Sequence, residues 1–159
     1  MDPQRYTILV VDDEELIRNL IVTFLSRLGY LCVAAVDGVD ALDKMKENKV
    51  DAIITDIGMP RMDGIFLTSE ISKQQPGLPI MVMTDFDEEY SVGTAISVGA
   101  REFIKKPISL EECAIRLHKM IRESEPLAQT KVQKSRGEEN VDEDLHSLAK
   151  ELETALKKT

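Results

Sequence analysis

Four short, nearly unbroken apolar runs restrict what this chain can fold into: "YTILVV" (6–11), "YLCVAAV" (30–36), "DAIIT" (51–55) and "PIMVM" (79–83). Each has the length of a strand, and none alternates polar with apolar residues. Strands covered on both faces read this way, as in a parallel sheet with helices above and below. "EFIKK" (102–106) is a weaker fifth run. The intervening segments carry a helical period. In 14–28, Leu16, Ile17, Leu20, Ile21, Phe24, Leu25 and Leu28 recur at steps of three and four, and Gly29 offers a stop. Segments 38–47 and 64–74 follow the same rule, with Asp37 as a candidate cap and Asp63 ahead of the second. Segment 87–98 is the weakest helix, because Gly93 sits inside it at a cost of ~1 kcal/mol relative to alanine. Ser109 and Glu112 form a capping-box pattern ahead of Ala114, Ile115, Leu117 and Ile121. The expectation is an α/β doubly wound domain of five strands and five helices. In such folds the site is built by loops at the carboxyl ends of the strands.

The alternation ends near residue 124, so the domain is expected over 5–124. Residues 125–140, "EPLAQTKVQKSRGEEN", are polar and unpatterned, as a linker would be. Over 141–158 an amphipathic helix is expected, with Val141, Leu145, Leu148, Leu152 and Ala155 on one seam. That seam covers barely two heptads, too few for a coiled coil that stands alone. The net charge of −9 argues against a broad nucleic-acid or acidic-lipid surface. No apolar run reaches the ~18 residues of a membrane helix, and no signal-peptide pattern opens the sequence. Cys32 and Cys113 have no metal-like spacing and read as buried thiols in a reducing compartment. The cytoplasm is the expected location.

Polar residues gather at one end of the apolar runs. "VVDDEE" puts Asp12 and Asp13 after the first, "IITD" puts Asp56 after the third, and "VMT" ends the fourth with Thr84. "IKKP" ends the fifth with Lys106. Each aspartate alone reads as a cap or turn residue, and a lone threonine or lysine says nothing. Together they fall on one edge of a parallel sheet. Three nearby carboxylates repel one another unless a cation intervenes. Oxygen ligands of this kind favour Mg²⁺, which takes one or two carboxylates together with phosphate oxygens. With the Thr84 hydroxyl and the Lys106 charge added, the set suits stabilisation of a transferring phosphoryl group, and Asp56 is the natural nucleophile.

These features, "VVDDEE", "DIGMPRMDG" (56–64), Thr84, "GAREF" (99–103) and "KKP" (105–107), occur in an order and spacing that resemble the receiver domain of two-component response regulators. The resemblance covers about residues 5–124. It implies a flavodoxin-like sheet of strand order 2-1-3-4-5, with strands 1 and 3 at the switch point. It further implies that Asp56 accepts a phosphoryl group from a sensor histidine kinase or phosphotransfer protein. Asp13, Asp56 and the backbone carbonyl of Gly58 would bind Mg²⁺ directly, with Asp12 acting through water. Thr84 would hydrogen-bond the phosphoryl group, Lys106 would pair with it, and Phe103 would be the switch aromatic. The signal would leave through the fourth helix, fifth strand and fifth helix.

Asp85 departs from the pattern, where a small residue usually follows the threonine. Pointing inward, it would crowd the pocket and slow phosphorylation; pointing outward, it would be harmless or cap the next helix. Gly58 and Phe86 fall at positions that tune phosphate lifetime in the family. The tail is too short for a DNA-binding output module and offers no basic recognition helix. Three arrangements remain open: a stand-alone receiver acting on a downstream protein target, a C-terminal helix that forms a homodimer or docks on a partner, or the front of a longer protein with a further output domain. Two other functions also stay open. One is a degenerate, phosphate-independent binding module; the other is a Mg²⁺-dependent phosphatase with an aspartyl intermediate, against which Gly58 stands where haloacid-dehalogenase-like enzymes carry a second acid.

Overall fold

A computed structural model of the protein describes residues 2–85, 89–124 and 138–157. After a single 3-10 turn (Pro3–Arg5), strands and helices alternate as β1 (Thr7–Val11), α1 (Glu15–Arg27), β2 (Leu31–Ala35), α2 (Gly38–Glu47), β3 (Ala52–Asp56), α3 (Gly64–Gln74), β4 (Ile80–Thr84), α4 (Glu89–Ser97), β5 (Glu102–Lys105) and α5 (Leu110–Ser124). A further helix, α6, spans Glu138–Lys157. The strands form one parallel sheet in the order β2-β1-β3-β4-β5. This is the doubly wound fold and strand order expected from the sequence. Most of the linker expected over 125–140 lies outside the described residues, as does Phe86.

The three unbroken apolar runs at the centre of the sheet are buried on both faces, as their sequence requires: β3 and β4 completely, and β1 from Ile8 onward. Two apolar clusters result. Ile8, Val10, Ile54, Met81 and Met83 face α1 and α5 on one side; Leu9, Val11, Ile53, Ile80 and Val82 face Leu67, Ile71 and Ala95 on the other. Strand β2 differs from its reading. Leu31 and Ala34 are exposed and Cys32 is only half-buried. As the edge strand, β2 has a neighbouring strand on one side only. Cys113 is buried, and its surroundings push the thiol up to about 12.

Helix starts follow local chemistry. Asp37 Oδ1 accepts the Asp40 N–H at 2.8 Å and Asp63 Oδ1 accepts the Phe66 N–H at 2.8 Å. Part of the apolar seam of α6 is used within the chain; Ala155 is exposed, and the Val141 side chain lies outside the described residues. Leu145 and Ala149 are buried, and Leu148 and Leu152 partly so, in the cluster shared with α1 and α5. Glu153 Oε1 accepts the Leu110 N–H at the start of α5 (3.2 Å), and His146 Nδ1 lies 2.7 Å from Glu111 Oε2.

Candidate functional site

The carboxyl ends of β1, β3, β4 and β5 meet at one edge of the sheet, because β1 and β3 are neighbours and β4 and β5 follow in order. Asp12 and Asp13 leave β1, Asp56 ends β3, Thr84 ends β4 and Lys106 follows β5. One carboxylate oxygen from each of Asp12, Asp13 and Asp56 lies within 4.8 Å of the others. Asp12 and Asp56 are buried, whereas Asp13 is exposed. Lys106 Nζ stands 3.1 Å from Asp56 Oδ2 and 3.3 Å from Asp12 Oδ2, with Glu14 Oε1 farther off at 3.8 Å. The Lys106 N–H donates to the Thr84 carbonyl at 2.7 Å, tying the ends of β4 and β5 together.

The charges do not balance. Burial, with the Asp12 carboxylate next, pushes the Asp56 carboxyl up to about 7 in spite of Lys106. Burial also raises Asp12, although its Oδ1 accepts the Glu14 N–H at 2.9 Å and Lys106 is near. Burial would lower the Lys106 ammonium, but the Asp56 and Asp12 carboxylates more than reverse this. The Thr84 hydroxyl is buried and has no hydrogen-bond partner among the described residues. Leaving such a group unpaired costs ~1–3 kcal/mol. The pocket therefore holds surplus negative charge, oxygen ligands only, and an orphaned hydroxyl. A hard divalent cation together with an oxyanion would satisfy all three.

The sequence model of the response regulator receiver domain matches residues 8–122. The chain belongs to this family. Among curated relatives, the alkaline phosphatase synthesis transcriptional regulatory protein PhoP of Bacillus subtilis (strain 168) is 38% identical over 118 residues, 74% of this chain and 49% of the relative. Response regulator MprA of Mycobacterium sp. (strain KMS) is 36% identical over 119 residues, 75% and 52%. The chain thus spans about half the length of the curated relatives it matches. Among solved structures, the receiver domain of Francisella response regulator 1452 superposes with a TM-score of 0.70 at 28% identity, covering 76% of this chain and 99% of that one. The receiver domain of NtrX from Brucella abortus gives 0.69 at 33% identity, covering 72% and 97%.

Other sequence candidates lie on or just after β3, β4 and β5 of this receiver. Gly58 is exposed, two residues beyond Asp56. Phe103 lies on β5 beside Val82, partly buried against the second apolar cluster, with the Arg116 guanidinium 5.9 Å above its ring. Asp85 is exposed rather than sunk in the pocket. Two neighbours escaped the sequence reading. Arg18 Nη1 donates to the Asp12 carbonyl at 2.8 Å, and Arg61 forms a two-pronged ion pair with Asp37. Arg18 had a faint signal, a cation on the first turns of the helix after the Asp pair. Arg61 had none, since its partner lies 24 residues away. Among the described residues no helix is long and apolar enough to cross a membrane.

Proposed function

We propose that this receiver is a phosphorylation-dependent signalling switch in which Asp56 accepts a phosphoryl group. The observation that carries the reading is the joint placement of Lys106 Nζ, 3.1 Å from the Asp56 carboxylate, and the unpartnered Thr84 hydroxyl at the next strand end. An Asp56 carboxylate oxygen attacks phosphorus of a phosphohistidine on a sensor kinase or phosphotransfer protein. The N–P bond breaks, the imidazole nitrogen keeps the electron pair, and an acyl phosphate forms on Asp56. Lys106 pairs with the phosphoryl oxygens and Thr84 donates to one of them. Asp12, Asp13, Asp56 and the Gly58 carbonyl would hold Mg²⁺, which supplies the positive charge the trio lacks. Water attacking phosphorus in the same pocket would break the acyl phosphate, returning the Asp56 carboxylate and releasing inorganic phosphate, so the proposed chemistry is self-catalysed gain and loss of the group. Movement of Thr84 toward the phosphoryl group would draw Phe103 inward and change the α4–β5–α5 face. Partners are then the donor protein and a downstream protein target or further output domain, in the cytoplasm.

Intact mass with acetyl phosphate as donor tests this. One labile phosphoryl group, dependent on Mg²⁺, is expected. Many turnovers of an external phosphate ester would instead mark a phosphatase, and no label on a folded protein would mark a phosphate-independent binding module.

The carboxyl pKa values add a pH prediction. Folding raises Asp56 from 3.8 to about 7, so the native state holds this proton more tightly than the unfolded chain. Stability from that source is complete below the ordinary carboxylate value and is lost as pH rises toward about 7, by at most about 4 kcal/mol. In EDTA, the melting temperature is expected to carry this downward component across the window. Mg²⁺ favours the ionised form, so the rise in melting temperature it produces should grow between about pH 5 and about pH 8. A Mg²⁺ effect of constant size over that range would contradict the assignment.

A further inference from the structure

We propose that Asp37 and Arg61 form a clamp that positions the 57–63 loop for Mg²⁺ binding, with Arg61 as a positioning residue that touches neither metal nor phosphate. The inference rests on the Mg²⁺ site proposed above. The loop is pinned at both ends by backbone bonds: the Ile57 N–H donates to the Met83 carbonyl at 3.2 Å, and the Gly64 N–H donates to the Ile57 carbonyl at 2.8 Å. Between these points lie Gly58, whose carbonyl would face the metal, and Pro60, both exposed. Arg61 ties this outer span to the turn between β2 and α2. Its Nε donates to Asp37 Oδ2 at 2.6 Å and its Nη2 to Asp37 Oδ1 at 3.0 Å, a planar fork that fixes direction as well as distance.

Three features mark the pair as more than a surface contact. Asp37 is buried and already held by capping α2, so Arg61 grips a fixed point. Arg61 has φ 64°, a left-handed conformation that glycine adopts freely and other residues rarely do. An arginine stands there, and its side chain reaches Asp37. Finally, the two turns meet backbone to backbone. The Gly38 N–H donates to the Met62 carbonyl at 3.2 Å, and a Cβ on Gly38 would lie 2.7 Å from Met62 Cβ. Because the Arg61 side chain is itself mostly exposed, its ion pair adds little to stability. Its effect is geometric, and Mg²⁺ demands near-ideal octahedral ligand placement.

Mg²⁺ titrations of the full chain followed by backbone amide NMR test the clamp. Arg61→Gly suits the left-handed backbone and removes only the side chain. It is expected to weaken Mg²⁺ binding by about tenfold, the effect typical of groups that orient metal ligands. Asp37→Asn should weaken it similarly, and Arg61→Lys should recover part of the loss. In acetyl phosphate labelling, the half-saturating Mg²⁺ concentration should rise by the same factor, while the rate at saturating Mg²⁺ stays within about twofold. Wild-type affinity in Arg61→Gly, beside a wild-type protein that binds Mg²⁺ normally, overturns the clamp and leaves the switch intact. Losses that merely follow the metal-free melting temperature across the three variants also overturn it, since that is the mark of a general brace. A wild-type protein that shows no Mg²⁺ shifts at the acidic cluster overturns both the clamp and the metal site.

Discussion

Asp56→Asn is expected to remove phosphoryl labelling completely and, at about pH 8 without divalent cations, to raise stability rather than lower it. Loss of labelling follows because an amide is too weak a nucleophile to take the place of the carboxylate. The stability effect follows from the environment. With its pKa pushed up to about 7 by burial and Asp12, the ionised carboxylate is disfavoured by the fold even with Lys106 beside it. The amide has the same shape and no charge, so the variant should gain about 1–3 kcal/mol in metal-free buffer. With Mg²⁺ present the order should reverse, because the metal has lost a ligand and the wild type has kept it. Denaturant melts of both proteins, with EDTA and with Mg²⁺, read the two signs. A variant that is less stable in both buffers would show that Asp56 serves the fold rather than the chemistry.

Gly64→Ala is expected to cost about 3 kcal/mol or more and to slow labelling together with it. Gly64 opens α3, and a Cβ there would overlap the Asp56 carbonyl oxygen and come within 2.9 Å of the Ile57 Cα. Both obstacles are backbone, so no side chain can swing aside. To admit the methyl group, either α3 must retreat from β3 or the end of β3 must tilt, and the second moves Asp56 itself. Urea denaturation and the acetyl phosphate labelling rate measure the two effects. As a control, alanine at Gly77 or Gly93 meets nothing within 4 Å among the described residues and should leave the pocket undisturbed. A Gly64→Ala protein as stable and as readily labelled as wild type would mean that helix α3 sits farther from Asp56 than the structure places it.

The central sheet was legible because Ile8–Val11, Ala52–Thr55 and Ile80–Met83 read as unbroken apolar runs, and only burial on both faces explains such runs. The same logic misread β2. Composition records that a strand is apolar, but whether it lies in the middle of the sheet or at its rim depends on strand order. The placement of the candidate residues was legible because a parallel sheet delivers every strand's last residue to one edge, so Asp12, Asp56, Thr84 and Lys106 needed no knowledge of side-chain direction. Direction was the missing quantity elsewhere. It left Asp85 open between two orientations until its exposure was known. The Arg61–Asp37 pair, the Gly38–Met62 contact and the Glu153 bond to Leu110 depend on rotamers and on elements remote in sequence. The seam of α6 announced an apolar partner without naming α1 and α5 as that partner.

Three acids facing one ammonium, on a chain of net charge −9, also govern which molecules arrive at the pocket. Small cations are enriched near its mouth, whereas a free anionic donor meets an opposing field that added salt weakens. Encounter with such a donor therefore quickens as ionic strength rises. Under the proposed function, a phosphate carried on a positively charged protein surface would meet the opposite trend, so the field itself would favour such a donor over small anions before any contact is made.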